Sequence, residues 1–246
     1  MKKESLTKIW NVRPTGVLHG GAHQAEESAD YTRLDWGNVI WVEAHPDLAA
    51  ELVKTLDPQK NQVINATIWG TSGLILEFKV SSNTQSSSLL EFGTHKKDYP
   101  DIVVSNSYQV TTSTLEEVLE KSAKFDFVNL DIQGVELEAL RGLGFHLTQV
   151  KWIYTEVNKH EVYENCSKVS EMDAFLKIQG FKRVSTRWIK KQGWGDALYV
   201  RDSLQITLVT RLKSTIDYLN WIKHQSPTPT HHLKKLLKRL AVIKSE

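Results

Sequence analysis

The residues best suited to chemistry fall at the ends of apolar runs. Val17-Leu18-His19-Gly20-Gly21-Ala22-His23 is an apolar strand opening into a glycine turn, and a second apolar run, Val39-Ile40-Trp41-Val42, ends on Glu43. Paired glycines let a backbone turn sharply and approach a ligand with no Cβ in the way. An acid about 20 residues beyond such a turn is placed to accept hydrogen bonds from ribose hydroxyls. The pattern predicts an adenosine-containing cofactor held by Gly20, Gly21, Ala22 and Glu43. An ordinary tight turn is the alternative, but it would leave the following helix N-terminus without its usual anionic or polar partner. His19 and His23 flank the turn, where either could meet a carboxylate of the cofactor or simply support the loop.

A third run, Phe125-Asp126-Phe127-Val128-Asn129-Leu130, ends on Asp131. A carboxylate closing an apolar strand costs desolvation free energy unless it binds something, which makes Asp131 the leading catalytic candidate. The next strand ends in Glu156-Val157-Asn158. Asp131, Glu156 and Asn158 could converge in an oxygen-rich cluster of the kind that suits Mg²⁺, or could hydrogen-bond the cofactor or loop amides. His160 follows in a loop, as a candidate general base or a plain surface histidine. Glu136, in the first turn of the next helix, is either functional or a surface acid favoured by the helix dipole. Ser86, Ser87 and Ser88 could line a substrate mouth or form an ordinary loop. Trp188 and Trp194 could stack on a carbohydrate or belong to the core.

The elements that must position these residues alternate. Strands are expected at 16–20, 39–43, 62–66, 74–80, 125–131 and 150–157, with helices near 24–35, 47–56, 111–121 and 172–179 and one carrying Val135, Leu137 and Leu140. Ser113 or Thr114 would cap the helix near 111–121, and Gly180 would end that at 172–179. Phe181–Trp188 and Ala197–Val200 read as a closing antiparallel hairpin around Gly193-Trp194-Gly195-Asp196, with Lys190 and Lys191 near its tip. The order implies an α/β fold with a mostly parallel sheet covered by helices on both faces, and ligands outside the carboxyl ends of its strands. Residues 1–202 form that domain. Residues 203–246 form a helical extension: 204–224, broken by Pro227-Thr228-Pro229, and then a helix with Leu233, Leu236, Leu237, Leu240 and Ile243 on one side.

Among 246 residues, 40% are hydrophobic and 24% charged, enough for one sizeable core. The net charge of +2 gives no argument for nucleic acid, and the positive excess lies in the last sixteen residues. Cys166 is the only cysteine, so neither an intramolecular disulfide nor a cysteine-rich zinc site can form. The polar start and the absence of an apolar run of about 18 residues predict a cytoplasmic protein.

The loop Gly20-Gly21-Ala22-His23-Gln24-Ala25 departs from the G-x-G-x-x-G of dinucleotide enzymes. It resembles instead the first motif, D-x-G-A-x-x-G, of the FkbM-type S-adenosylmethionine-dependent methyltransferases, with His19 for the acid and Ala25 for the last glycine. Trp41-Val42-Glu43-Ala44-His45-Pro46 resembles that family's ribose motif, Ser86-Ser87-Ser88-Leu89 its serine motif, and Asp131-Ile132-Gln133-Gly134-Val135-Glu136 its D-x-E-G-x-E, with Gln133 for the middle acid. Leu140-Arg141-Gly142 and Tyr154-Thr155-Glu156-Val157-Asn158 follow in order, so the resemblance spans about Thr15 to Asp202. It implies a class I methyltransferase (Rossmann-like) fold, with S-adenosylmethionine held by 19–23, Glu43, Ala44 and Asp131. It also implies O-methylation of a small-molecule or glycan acceptor. A nicotinamide-dependent oxidoreductase and a non-catalytic domain of the same fold are the rivals. The leucine-rich C-terminal helices would pack on the domain or form a homo-oligomer, in preference to a peripheral membrane contact.

Overall fold

The computed structural model describes residues 1–189 and 192–225. Lys190, Lys191 and the expected last helix with Leu233 to Ile243 lie outside the described residues. In chain order the elements are α1 (Lys3–Trp10), β1 (Gly16–Gly20), α2 (Ser28–Arg33), β2 (Asn38–Glu43), α3 (Pro46–Thr55), β3 (Asn61–Asn65), β4 (Thr67–Ile68) and β5 (Ile75–Ser81). They continue as α4 (His95–Asp98), β6 (Val104–Ser113), α5 (Leu115–Val118), β7 (Phe127–Leu130), α6 (Glu136–Arg141), β8 (Trp152–Asn158), α7 (Val169–Ile178), β9 (Phe181–Trp188), β10 (Trp194–Arg201) and α8 (Leu208–Gln225).

A seven-stranded sheet has the order β3-β2-β1-β7-β8-β10-β9 and is parallel except for β10, which runs antiparallel to both of its neighbours. Side chains alternate across it. Leu18, Ile40, Val128, Leu130 and Ile153 pack on one face against Leu137, Leu140 and Leu176 of α6 and α7. Val17, Trp41, Phe127, Tyr154 and Leu198 pack on the other against Leu6 of α1 and Tyr31 of α2. Both faces are therefore covered, as expected. The order in which strands are added reverses between β1 and β7, and a crevice opens there at the carboxyl ends of the strands.

Two expectations need correction, and one helix was not foreseen. The helix expected near 24–35 is confined to Ser28–Arg33, because His23 and Ala25 sit in the left-handed region (φ 46° and 55°), which no helix accommodates. The helix expected over 111–121 is only Leu115–Val118, with Thr114 as its cap, because 111–113 end the ten-residue strand β6, which the sequence reading did not place. The polar sequence of α1 concealed that helix, whose Leu6 is buried against the sheet.

A second sheet, β4-β6-β5, stands beside the first. Between β5 and β6 the chain makes an excursion over residues 82–103 that includes a tight turn at Thr84–Ser86 and the short α4. Strapped down where Phe92 bridges Tyr163, this excursion forms the outer wall of the crevice. At the far end, α8 packs on α1 and buries Leu219, while Asp217 pairs with the buried guanidinium of Arg187.

Candidate functional site

A cavity of about 410 Å³ lies at the carboxyl ends of β1, β2, β7 and β8, within the range of small-molecule sites. Its inner end is the glycine loop. Gly21 adopts φ +80°, and a Cβ there would fall 2.0 Å from the carbonyl oxygen of Asp131, so only glycine fits. The Gly21 and Ala22 N–H groups donate to the Val42 carbonyl, which pulls the loop against the end of β2. Ala25 adopts the left-handed backbone that explains a glycine at this place in the family motif.

Glu43 is buried, and both of its oxygens are engaged. Oε2 accepts from the His23 N–H at 2.7 Å and Oε1 from the His45 N–H at 2.8 Å. Burial raises its pKa, opposed by these two bonds. Glu43 thus ties the glycine loop to the loop after β2 and presents its remaining lone pairs to the cavity. Ala44, His45 and Leu48 line the wall beside it, with Ala66, Ile68 and Phe78 opposite. The result is an apolar slot next to a carboxylate, suited to a nucleobase and its ribose. Of the remaining loop residues, His23 reaches the cavity, whereas Gly20 and Ala22 support the turn from behind.

His19, at the place of the family's acid, lies at the cavity floor and is almost wholly buried. Its Nδ1 is 3.2 Å from the Tyr31 hydroxyl, Asn129 Nδ2 lies 3.3 Å from Nε2, and Trp41 stacks on the ring at 4.8 Å. Burial, with Lys3 nearby, drives its pKa well below the usual range, so the ring is neutral. The His23 ring bonds Glu26 Oε1 at 2.7 Å and Thr84 Oγ1 at 2.8 Å, joining the glycine loop to the excursion.

Asp131 and Glu156 come together across the sheet, as expected, and Glu136 joins them. Glu136 is not a surface acid. It is 1% exposed, and Oε1 accepts from the Ile132 N–H at 3.0 Å and the Gly134 N–H at 3.1 Å, fixing the loop after β7. Its pKa rises to about 7, mainly through burial, with a contribution from Asp131. Burial, followed by the Asp131 charge, pushes Glu156 well above the carboxylate range. Asp131 rises to about 6, through desolvation first and the Asp196 charge second, while a 2.6 Å hydrogen bond from Gln133 Nε2 opposes the shift. Asp131 opens onto the cavity, so solvent reaches it on that side while protein crowds it on the others. At neutral pH it is the cluster's readily ionised member.

The Mg²⁺ expectation finds no support. Asn158 is buried and does not line the cavity that Asp131 and Glu156 line. Among the described residues no group of three or more His, Cys, Asp or Glu side chains is arranged to hold a metal ion. His160 is not brought to the cavity: it is exposed, and its ring covers Gly193 in the β9–β10 turn. The cavity's outer wall instead carries His95, Tyr99 and Tyr163, which sequence reasoning missed, together with Trp194 and the expected Ser86, Ser87 and Ser88. Isolated in polar stretches, these aromatics gave no periodic signal. Trp188 lies outside the wall, beneath Lys159 Nζ at 4.4 Å.

A glycine loop, a strand-end acid and a second acid after the reversal of strand order, on a sheet with one antiparallel strand next to its edge, define the class I methyltransferase fold. The Methyltransferase FkbM domain model matches residues 19–183, and the chain belongs to this family of methyltransferases. The nicotinamide-dependent alternative is thereby set aside. No curated protein is a significant match. Among solved structures, the chain is similar to a candidate tRNA (m1A22) methyltransferase of Streptococcus pneumoniae, with 12% identity over 100% of this chain and 98% of that one and a TM-score of 0.48. It is also similar to a candidate methylase of Haemophilus influenzae (13%, 81% and 95%, 0.44). A third likeness is to a magnesium protoporphyrin IX methyltransferase of Synechocystis (10%, 75% and 69%, 0.42). No helix among the described residues is long and apolar enough to cross a membrane.

Proposed function

We propose that the chain is an S-adenosylmethionine-dependent O-methyltransferase whose acceptor is a hydroxyl of a sugar, glycan or related small molecule. The observation that carries this reading is the placement of Asp131, the readily ionised carboxylate, between a nucleoside-shaped slot and a wall of hydroxyl, amide and aromatic side chains in one cavity. The bound sulfonium supplies the activated methyl group, leaving the protein to align the acceptor and assist removal of its proton. The cradle fits such a cofactor: Gly21 leaves room where a Cβ would clash, and Glu43 faces the position of a ribose.

Asp131 accepts a hydrogen bond from the acceptor hydroxyl and orients its oxygen, and Glu156 shapes the pocket as a neutral carboxyl. The polar Asn83–Ser88 segment and the rings of Tyr99 and Trp194 suit a polyhydroxylated acceptor, which presents both hydroxyls and an apolar ring face. This composition favours a glycan or nucleotide-sugar hydroxyl over a flat aromatic one. The test is incubation of the purified protein with methyl-labelled S-adenosylmethionine and a carbohydrate-containing extract. Labelled product with stoichiometric S-adenosylhomocysteine is expected. Cofactor binding with label only in nucleic acid or protein would overturn the acceptor class, and absence of cofactor binding would overturn the whole reading.

A further inference from the structure

Gln133 is where the chain departs from the family's D-x-E-G-x-E, and its carbonyl and both ends of its side-chain amide are engaged. Its backbone is held in the left-handed region at φ 57°, and its carbonyl accepts from Ser88 Oγ at 2.7 Å. The Tyr163 hydroxyl donates to Gln133 Oε1, and Gln133 Nε2 donates to Asp131 Oδ1 at 2.6 Å.

We infer that Gln133 is the positioning residue for Asp131: its side-chain amide, locked in one orientation by Tyr163, aims the Asp131 carboxylate into the cavity. The inference rests on the role proposed above for Asp131. An amide can present either its oxygen or its NH₂ to a carboxylate, and only the NH₂ is attractive. The two partners together decide between them. The Asp131 carboxylate only accepts, so the NH₂ faces it, and the carbonyl oxygen of Gln133 is left to the Tyr163 hydroxyl, which burial keeps protonated and able to donate. An acid at 133 could still accept from Tyr163 but could not donate to Asp131 without being protonated itself, and it would add a further carboxyl to a crowded set.

That crowding is why a neutral donor matters here. Asp131 is faced by Asp196 of β10 and by Glu27 ahead of α2, and it interacts with Glu136 of α6 and Glu156 of β8. The cations in the neighbourhood are Lys3 of α1, whose Nζ is 3.6 Å from Glu27, and the Met1 amino group, 2.7 Å from Asp196. Each cation lies closest to a different carboxylate. Gln133 is the hydrogen-bond donor placed directly on Asp131, and Ser88 ties the outer wall to the residue that aims it.

The experiment is a pH titration of the full-length protein labelled at aspartate Cγ, followed by NMR, with the Asp131 resonance assigned by its loss in Asp131→Asn. Gln133→Leu is expected to raise the Asp131 midpoint by about one pH unit, the equivalent of one lost charge-assisted hydrogen bond. Gln133→Glu, nearly isosteric, is expected to raise it further. Tyr163→Phe is expected to raise it less, and to have no effect in the Gln133→Leu background, since the phenol acts through the amide. An unchanged midpoint in Gln133→Leu or Gln133→Glu protein of wild-type thermal stability overturns the inference, as does an undiminished Tyr163→Phe effect in the Gln133→Leu background. Calorimetry with S-adenosylhomocysteine on the wild type separates the two claims. Failure to bind it strikes at the methyl-transfer reading, while the NMR midpoints still decide what Gln133 does to Asp131.

Discussion

Replacing Asp131 with asparagine should abolish turnover and, in alkaline buffer, make the protein more stable. The carboxyl titrates at about 6 in the folded chain against an ordinary value of 3.8. A carboxyl raised on folding binds its proton more tightly in the native state, so its stabilising contribution is complete below the unfolded pKa and is lost as pH rises through the folded one. Two units of difference correspond to roughly 3 kcal/mol. Because Asp131 opens onto the cavity, solvent screening reduces that to about 1–2 kcal/mol. Asparagine keeps the shape and still offers an oxygen to Gln133 Nε2, while carrying no charge among Glu136, Glu156 and Asp196. For a chain of this length the gain corresponds to a Tm higher by about 2–8 °C near pH 8, shrinking to nothing near pH 4. Turnover should fall roughly 10²–10⁴-fold. Calorimetric scans of both proteins across that range test the argument. A difference in Tm that does not change with pH, or has the opposite sign at pH 8, would refute it.

Other substitutions probe the rest of the frame. Glu43→Gln leaves one of two loop N–H groups facing an NH₂, and should lower unfolding free energy by about 2–4 kcal/mol and S-adenosylhomocysteine affinity at least tenfold, both read by calorimetry. Gly21→Ala forces a Cβ onto the Asp131 carbonyl at φ +80° and should eliminate cofactor binding, with any surviving protein destabilised by more than about 3 kcal/mol. Asp217→Asn strands the Arg187 guanidinium, 3% exposed, and should cost about 2–4 kcal/mol in denaturant unfolding. Truncation after Asp202 removes Asp217 and Leu219 together and should cost at least as much, while leaving the glycine loop and Glu43 in place for cofactor titration.

The strands that end in chemistry were the most legible part of the sequence, because burial on both faces leaves continuous apolar runs and a charge at the end of one stands out. Glu43, Asp131 and Glu156 were found that way. The outer wall was not. Residues 82–103 are polar and irregular, and His95 and Tyr163 reach the cavity only because the excursion docks on 161–163 through long-range backbone bonds that no local pattern announces. The misassigned helix at 111–113 has a related cause: Thr111, Thr112 and Ser113 suit a strand or a helix cap equally, and pairing with β5 and β4 decides for the strand. His160 stood close in sequence to Glu156 of β8, but the chain turns outward after Asn158 and sends its ring over Gly193 instead.

The carboxyl cluster explains why one residue should govern both activity and stability. Glu136 is committed to the Ile132 and Gly134 N–H groups and titrates near 7, and burial pushes Glu156 well above the carboxylate range, so in neutral solution much of the cluster's potential charge is suppressed. Asp196 is paired with the Met1 amino group. Asp131 is left as the carboxylate that ionises near 6 and faces the cavity. Turnover that needs its charge must therefore rise as pH passes through about 6, whereas the stability contributed by its proton is lost between the ordinary value of 3.8 and about 6. A loss of stability that is complete where turnover rises, both profiles being abolished by the single change Asp131→Asn, is what a functional charge held against the preference of the fold requires. A purely structural acid would show the stability limb alone.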